Sequence, residues 1–273
     1  MIAVVFWTTV FMLGASIGSF LNVCVLRWPA EQSVIRPRSR CPNCGRGIHW
    51  YENIPVVSWV ALRARCAGCG LPISMRYPAT ELLVGFGWLA AGWHFGPGLT
   101  ALRVAVFGTV LLGIAITDLE HYLIPDGFTV FGLVWVLLTA FGGAFVPEVS
   151  PFAEPVDAIL GACVGAGAIA IAGWLGEVAM KREAMGFGDV TLMAFAGAAL
   201  GPMRALLTVF VGAALGAAIF LAVVLPMVKR GAQSDAPRDA PLVPFGVFLA
   251  PAALITLLWG QSLVTWYLRA LAS

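Results

Sequence analysis

Long apolar runs, each closed by proline, glycine or charge, set the pattern of this chain. They fall near residues 2–26, 78–95, 99–117, 127–146, 156–179, 190–201, 203–228 and 244–268. A hydrocarbon layer of roughly 30 Å needs about 20 apolar residues in a helix, so the runs predict about eight transmembrane helices. The run 190–201 is the exception. At about 1.5 Å per residue it is too short to cross alone before Gly201-Pro202 interrupts it. Either the helix continues past Pro202 or, as the preferred reading, Gly186-Phe187-Gly188-Asp189 lies below the membrane surface as irregular backbone lining a cavity. Only residues 27–77 form a long polar insertion, which divides the chain into a first helix (1–26), a loop domain (27–77) and a membrane domain (78–273).

Composition turns this pattern into a class. Hydrophobic residues make up 60% of the chain and charged residues 11%, with a mean hydropathy of +0.91. Soluble domains carry roughly 25% charge, so the expectation is an all-α polytopic membrane protein whose surroundings are the lipid bilayer. The first run lacks a basic start and is long enough to span, which argues against a cleaved signal. A net charge of +2 says little by itself, and no nucleic-acid partner is expected. Its distribution says more. The 27–77 insertion holds Arg27, Arg36, Arg38, Arg40, Arg46, Arg63, Arg65 and Arg76 against Glu31 and Glu52. Basic loops stay in the cytoplasm, so this loop is expected inside and the N-terminus outside. The alternation then puts Lys181-Arg182 and Lys229-Arg230 inside, and the acidic loop with Glu148, Glu154 and Asp157 outside.

Two constellations carry chemistry. Asp118 and Asp189 stand where apolar segments begin or end, and the topology places both on the cytoplasmic side. Ionisable groups at membrane depth are costly and mark functional sites. Two carboxylates brought together share a proton and activate a water, one as base and one as acid. Gly186 and Gly188 beside Asp189 permit unusual dihedrals and the close approach of another chain. The second constellation is Cys41-Pro-Asn-Cys44 with Cys66-Ala-Gly-Cys69, a tetrahedral four-thiolate zinc pattern. Reduced thiols are the rule in the cytoplasm, which opposes a thiol-redox reading of the same cysteines. An ion-coupled transporter using Asp118 and Asp189 is the other rival. Glu81, opening the second apolar run, either binds substrate or pairs with an arginine. Asp126, after Pro125, is placed to cap the next helix.

These motifs together resemble the type IV prepilin peptidases, bifunctional enzymes of pilus and type II secretion systems. The likeness is carried by Gly18-Ser19-Phe20-Leu21-Asn22-Val23, Arg27-Trp28-Pro29, Asn53 to Trp59, the four cysteines, Ile73 to Pro78 with Glu81, Asp118 with Ile124-Pro125-Asp126, Gly186 to Asp189, and Pro244-Phe245-Gly246. It runs almost end to end. The resemblance implies an aspartic peptidase of the bacterial inner membrane with Asp118 and Asp189 as catalytic pair. Its substrates would be prepilins or pseudopilins, cut after a short basic leader and then methylated on the new N-terminus from S-adenosylmethionine. It associates methyl transfer with the loop around Arg63 and Arg65. Four protein thiolates leave no open position for water, so the expected zinc is structural. Two positions depart from the family pattern. Thr191 stands where a lysine is common, and Ala64 stands where Arg-Gly-x-Cys is common.

Overall fold

The computed structural model describes residues 1–143, 145, 150–181, 185–224 and 244–272. Glu148, Arg182, Lys229 and Arg230, which entered the expected topology, lie outside the described residues. Each of the eight apolar runs is helical over most of its described length. The helices are α1 (Ile2–Arg27), a short α2 (Val57–Ala61), α3 (Arg76–Phe95), α4 (Leu99–His121), α5 (Asp126–Gly143), α6 (Pro155–Met180), α7 (Phe187–Leu200), α8 (Pro202–Ile219) and α9 (Gly246–Ala272). Five π-helical residues, Phe220–Val224, extend α8. Among the described residues, six helices are long and apolar enough to cross a membrane: α1, α4, α5, α6, α9, and α8 with its extension. The expected count of eight is thus approximate. α7 is too short, and α3 falls outside the six.

The chain forms two compact units, Met1–Gly113 and Ile114–Ser273. The division falls inside the stretch 78–273 that was expected as one domain. In the first unit α3 packs along α1. Small residues make that approach close: a methyl group at Gly14 would sit 2.8 Å from Trp88 Cβ, and one at Gly18 2.9 Å from the Glu81 Cα. Without a hydrophobic driving force inside lipid, such close backbone contact is what holds apolar helices together.

The second unit is built round α7, which packs against α5, α6, α8 and α9. Leu192, Met193, Phe195, Ala196, Ala198 and Ala199 are wholly buried. A helix apolar on every face is buried on every face. At its crossing with α6, a methyl group on Gly161 would collide with the Gly197 carbonyl, and one on Gly165 with the Met193 carbonyl. The helix stops at Gly201, and Pro202 opens α8. There Arg204 donates to Leu200 O (2.8 Å) and Pro151 O (2.6 Å), while the Ala153 amide donates to Ala199 O (2.9 Å).

The expected irregular stretch at 186–189 is absent. Gly186 is the extended residue before α7, and Phe187, Gly188 and Asp189 form its first turn. The extra turn lengthens the short helix at its N-terminus, where unbonded amides tolerate glycine and favour an acidic residue. Asp126 is likewise inside α5, in its first turn, and does not cap it from outside.

Candidate active site and cysteine cluster

Asp118 lies in the last turn of α4, which closes at Tyr122 in the left-handed region (φ 54°), with the Tyr122 amide donating to Asp118 O at 2.9 Å. A helix C-terminus is a poor place for an anion. The second unit offsets this by aiming another helix at the side chain. The Val247 amide, in the first turn of α9, donates to Asp118 Oδ2 at 3.0 Å, and the Gly246 amide also hydrogen-bonds the carboxyl. Helix N-termini bind anions through these free amides. Gly246 is required by the closeness, because a methyl group there would stand 2.8 Å from Asp118 Oδ2.

Asp189 reaches the same place from α7. It is buried, as is Asp118, and the two carboxylates interact electrostatically. Gly188 lets the first turn of α7 press against the segment following α4, since a methyl group on it would meet Ile124 Cβ at 2.8 Å. Gly186 is exposed at the entrance of α7, and Phe187 beside it is 74% exposed. Thr191 turns back to its own helix, donating to Gly188 O at 3.0 Å. Two buried carboxylates flanked by exposed backbone have the makings of general acid and base.

The first unit holds the cysteines. Its backbone makes the same turn twice. Cys41 N–H bonds Arg46 O (2.9 Å) and Gly45 N–H bonds Cys41 O (2.9 Å); Cys66 N–H bonds Leu71 O (2.8 Å) and Gly70 N–H bonds Cys66 O (2.9 Å). Each turn closes on a glycine with positive φ, 69° at Gly45 and 71° at Gly70, where a side chain would be strained. The ligand atoms of Cys41, Cys44, Cys66 and Cys69 all lie within 4.8 Å of one another. Cys41 and Cys69, from different turns, stand 3.7 Å apart. Thiolates at about 2.3 Å from a shared tetrahedral metal stand about 3.8 Å from each other, so the cluster has the dimensions of a metal site. The sulfurs gather as one group of four instead of two separate pairs.

The local electrostatics suit a cation. A hydrogen bond from the Asn43 side chain and another from the Leu71 amide lower the Cys69 thiol to about 6. Amide hydrogen bonds from Cys69 and Gly68 lower Cys66 as well. At Cys44 the Arg46 amide lowers the thiol, but desolvation and the Cys41 and Cys69 thiols outweigh it and push it up to about 11. Neighbouring sulfurs therefore resist full ionisation until a positive charge joins them.

Among the described residues, no arginine is paired with Glu81. Its carboxylate accepts the Val56 amide at 2.7 Å and a hydrogen bond from Ser19, holding Val56 at φ 60° where α2 begins. It also lines a cavity of about 400 Å³ inside the first unit, together with Asn22 and Trp59. Arg63 and Arg65 are exposed and outside that cavity. Arg63 and Ala64 both take positive φ, 50° and 57°. Sequence reasoning named Asn22 in the Gly18–Val23 motif but gave no role to this residue, the one carboxamide in the run 2–26. That polar amide in an otherwise apolar helix was the available signal.

Comparison with known proteins agrees with both units. The model described as the bacterial peptidase A24 N-terminal domain matches residues 12–95, and the type IV leader peptidase family model matches residues 105–221. A prepilin leader peptidase/N-methyltransferase of Myxococcus xanthus is 41% identical over 85% of this chain and 67% of its own length. Proteins of the same name from Aeromonas hydrophila and Pseudomonas aeruginosa are each 34% identical, over 96% and 94% of this chain and 94% and 92% of their own lengths. No solved structure matches the chain. With relatives at this identity along nearly the whole sequence, the chain belongs to the type IV leader peptidase family.

Proposed function

We propose that this chain cleaves the leader from prepilin or pseudopilin substrates and methylates the N-terminus that cleavage exposes. The observation carrying the peptidase assignment is the pair of buried, interacting carboxylates, Asp118 and Asp189, with the N-terminus of α9 directed at Asp118. One carboxylate takes a proton from the attacking water, and the other gives one to the departing amine. The α9 amides hold the Asp118 carboxylate in place beside Asp189. Exposed Gly186 leaves room for the extended scissile segment at the entrance of α7, while Gly188 is taken up by packing against Ile124. The arginine-rich 27–77 loop supports a cytoplasmic position for both sites. A basic leader followed by an apolar helix meets the bilayer at that edge.

The four cysteines hold one structural zinc. All four ligands are protein thiolates, with no open position for a water, so the metal has no part in hydrolysis. Methyl transfer belongs to the first unit, which carries the cysteine turns, the Arg63–Arg65 turn and Glu81. S-adenosylmethionine supplies an electrophilic methyl group when bound. The test is leader cleavage in membranes. Asp118→Asn and Asp189→Asn should each lower cleavage by about 10³-fold or more, with expression and helicity unchanged. Near wild-type cleavage in either variant contradicts the assignment.

A further inference from the structure

The cavity of the first unit holds an acceptor that has no partner. Asn22 is 2% exposed, and its Nδ2 donates to the Tyr77 carbonyl at 3.2 Å, which fixes which end of the amide is the oxygen. That oxygen, Oδ1, is buried without a hydrogen bond, and Asn22 lines the cavity. A buried acceptor left unmade is costly, and Asn22 brings this one to the cavity wall. Glu81 lines the same space. A carboxylate has about four lone-pair sites, and Val56 and Ser19 occupy two of them. The remainder present negative charge to the cavity. The Trp59 ring offers an apolar wall, held in orientation by its own bond to Ile73 O at 3.1 Å. Arg27 and exposed Arg40 border the cavity as well. Its volume of about 400 Å³ falls in the range of small-molecule sites.

A flat ring, an N–H donor, a positive centre and a carboxylate are the features these groups match, and a sulfonium nucleoside amino acid has all of them. We infer that this cavity is the binding pocket of the methyl donor, with Asn22 Oδ1 accepting a donor N–H, Glu81 facing the positive charge and Trp59 walling the ring. The inference rests on the methyltransferase reading and gives it a location. It also explains why Asn22 tolerates burial near the C-terminal end of α1. Arg63 and Arg65 lie outside the pocket and do not contact the donor.

Calorimetric titration of the detergent-solubilised full chain with S-adenosylmethionine, and separately with S-adenosylhomocysteine, tests this without turnover. Asn22→Leu and Glu81→Gln should each weaken S-adenosylmethionine binding at least tenfold. Because S-adenosylhomocysteine lacks the sulfonium charge, Glu81→Gln should weaken it less, narrowing the preference between the two ligands. Metal content and thermal melting of each variant guard against a simple loss of fold, and Glu81→Gln keeps the side chain's shape if Asn22→Leu proves unstable. Wild-type affinity in both variants overturns the pocket, while methylation of a pre-cut peptide by the wild type would leave the methyltransferase reading standing. A wild type that neither binds the donor nor methylates overturns both.

Discussion

The backbone hydrogen bonds that close each cysteine turn join residues a few positions apart, from Cys41 to Arg46 and from Cys66 to Leu71. The aspartate site is made the other way. Asp118 is met by Val247, 129 positions along the chain, and Asp189 arrives on a third helix. Local turns, together with the zinc proposed for the four cysteines, would suffice for a small loop that cannot bury much core. The aspartate pair depends instead on helices approaching so closely that only glycine fits at Gly188 and Gly246. The cysteine region should thus fail when its metal is removed, and the aspartate region when its packing is disturbed.

The largest effect expected is on the cysteine side. Structural zinc contributes on the order of 10 kcal/mol to the folding of small metal-bound domains. Purified protein should carry about one zinc per chain, and Cys→Ser at Cys41, Cys44, Cys66 or Cys69 should lose it and expose residues 39–73 to limited proteolysis. Protein prepared without chelator that contains no metal contradicts the comparison. Next comes Gly246→Val, which forces Asp118 away from the α9 amides. A displacement of about 1 Å at a catalytic group costs about 100-fold, so cleavage should fall by that order while zinc content stays constant. A loss of zinc in this variant would mean that the regions are not independent.

Smaller effects sharpen the same contrast. Gly161→Ala puts a methyl group into the Gly197 carbonyl, and overpacking of this kind costs about 1–3 kcal/mol. Thermal unfolding should register that loss with the cysteine turns intact. The smallest change is a gain. Ala64 sits at φ 57°, a conformation glycine adopts without strain, so Ala64→Gly should stabilise the loop by roughly 1 kcal/mol. The family's usual glycine at this position then has a backbone reason, and an unchanged melting curve would remove it.

The same contrast governs what could be read from residues alone. The cysteine cluster was legible because its spacing and closing glycines are local properties of the chain. Asp118 and Asp189 were legible as costly charges at the ends of apolar runs, yet nothing near them in sequence points to the α9 amides. The irregular backbone expected at Gly186 to Asp189 came from counting apolar residues only. Helix α7 starts earlier, at Phe187, because its first turn accepts a glycine and an aspartate. Asn22 was legible as part of a motif but not in its role, because its contact with the Tyr77 carbonyl joins positions 55 apart. Glu81 stood between two readings, and its contacts with Val56 and Ser19 depend on α1, α2 and α3 converging.

The measurement that bears most directly on the division of labour is mass spectrometry of the substrate N-terminus, using intact prepilin and a pre-cut peptide side by side with Asp189→Asn enzyme. Methyl transfer needs a neutral amine, a bound donor and in-line alignment, and none of these calls on the aspartyl protons. The account predicts that Asp189→Asn leaves intact prepilin both uncut and unmethylated, yet adds a methyl group to the pre-cut peptide at close to the wild-type rate. An Asp189→Asn enzyme that folds and binds the donor but cannot methylate the pre-cut peptide would show that one site serves both reactions, contradicting it.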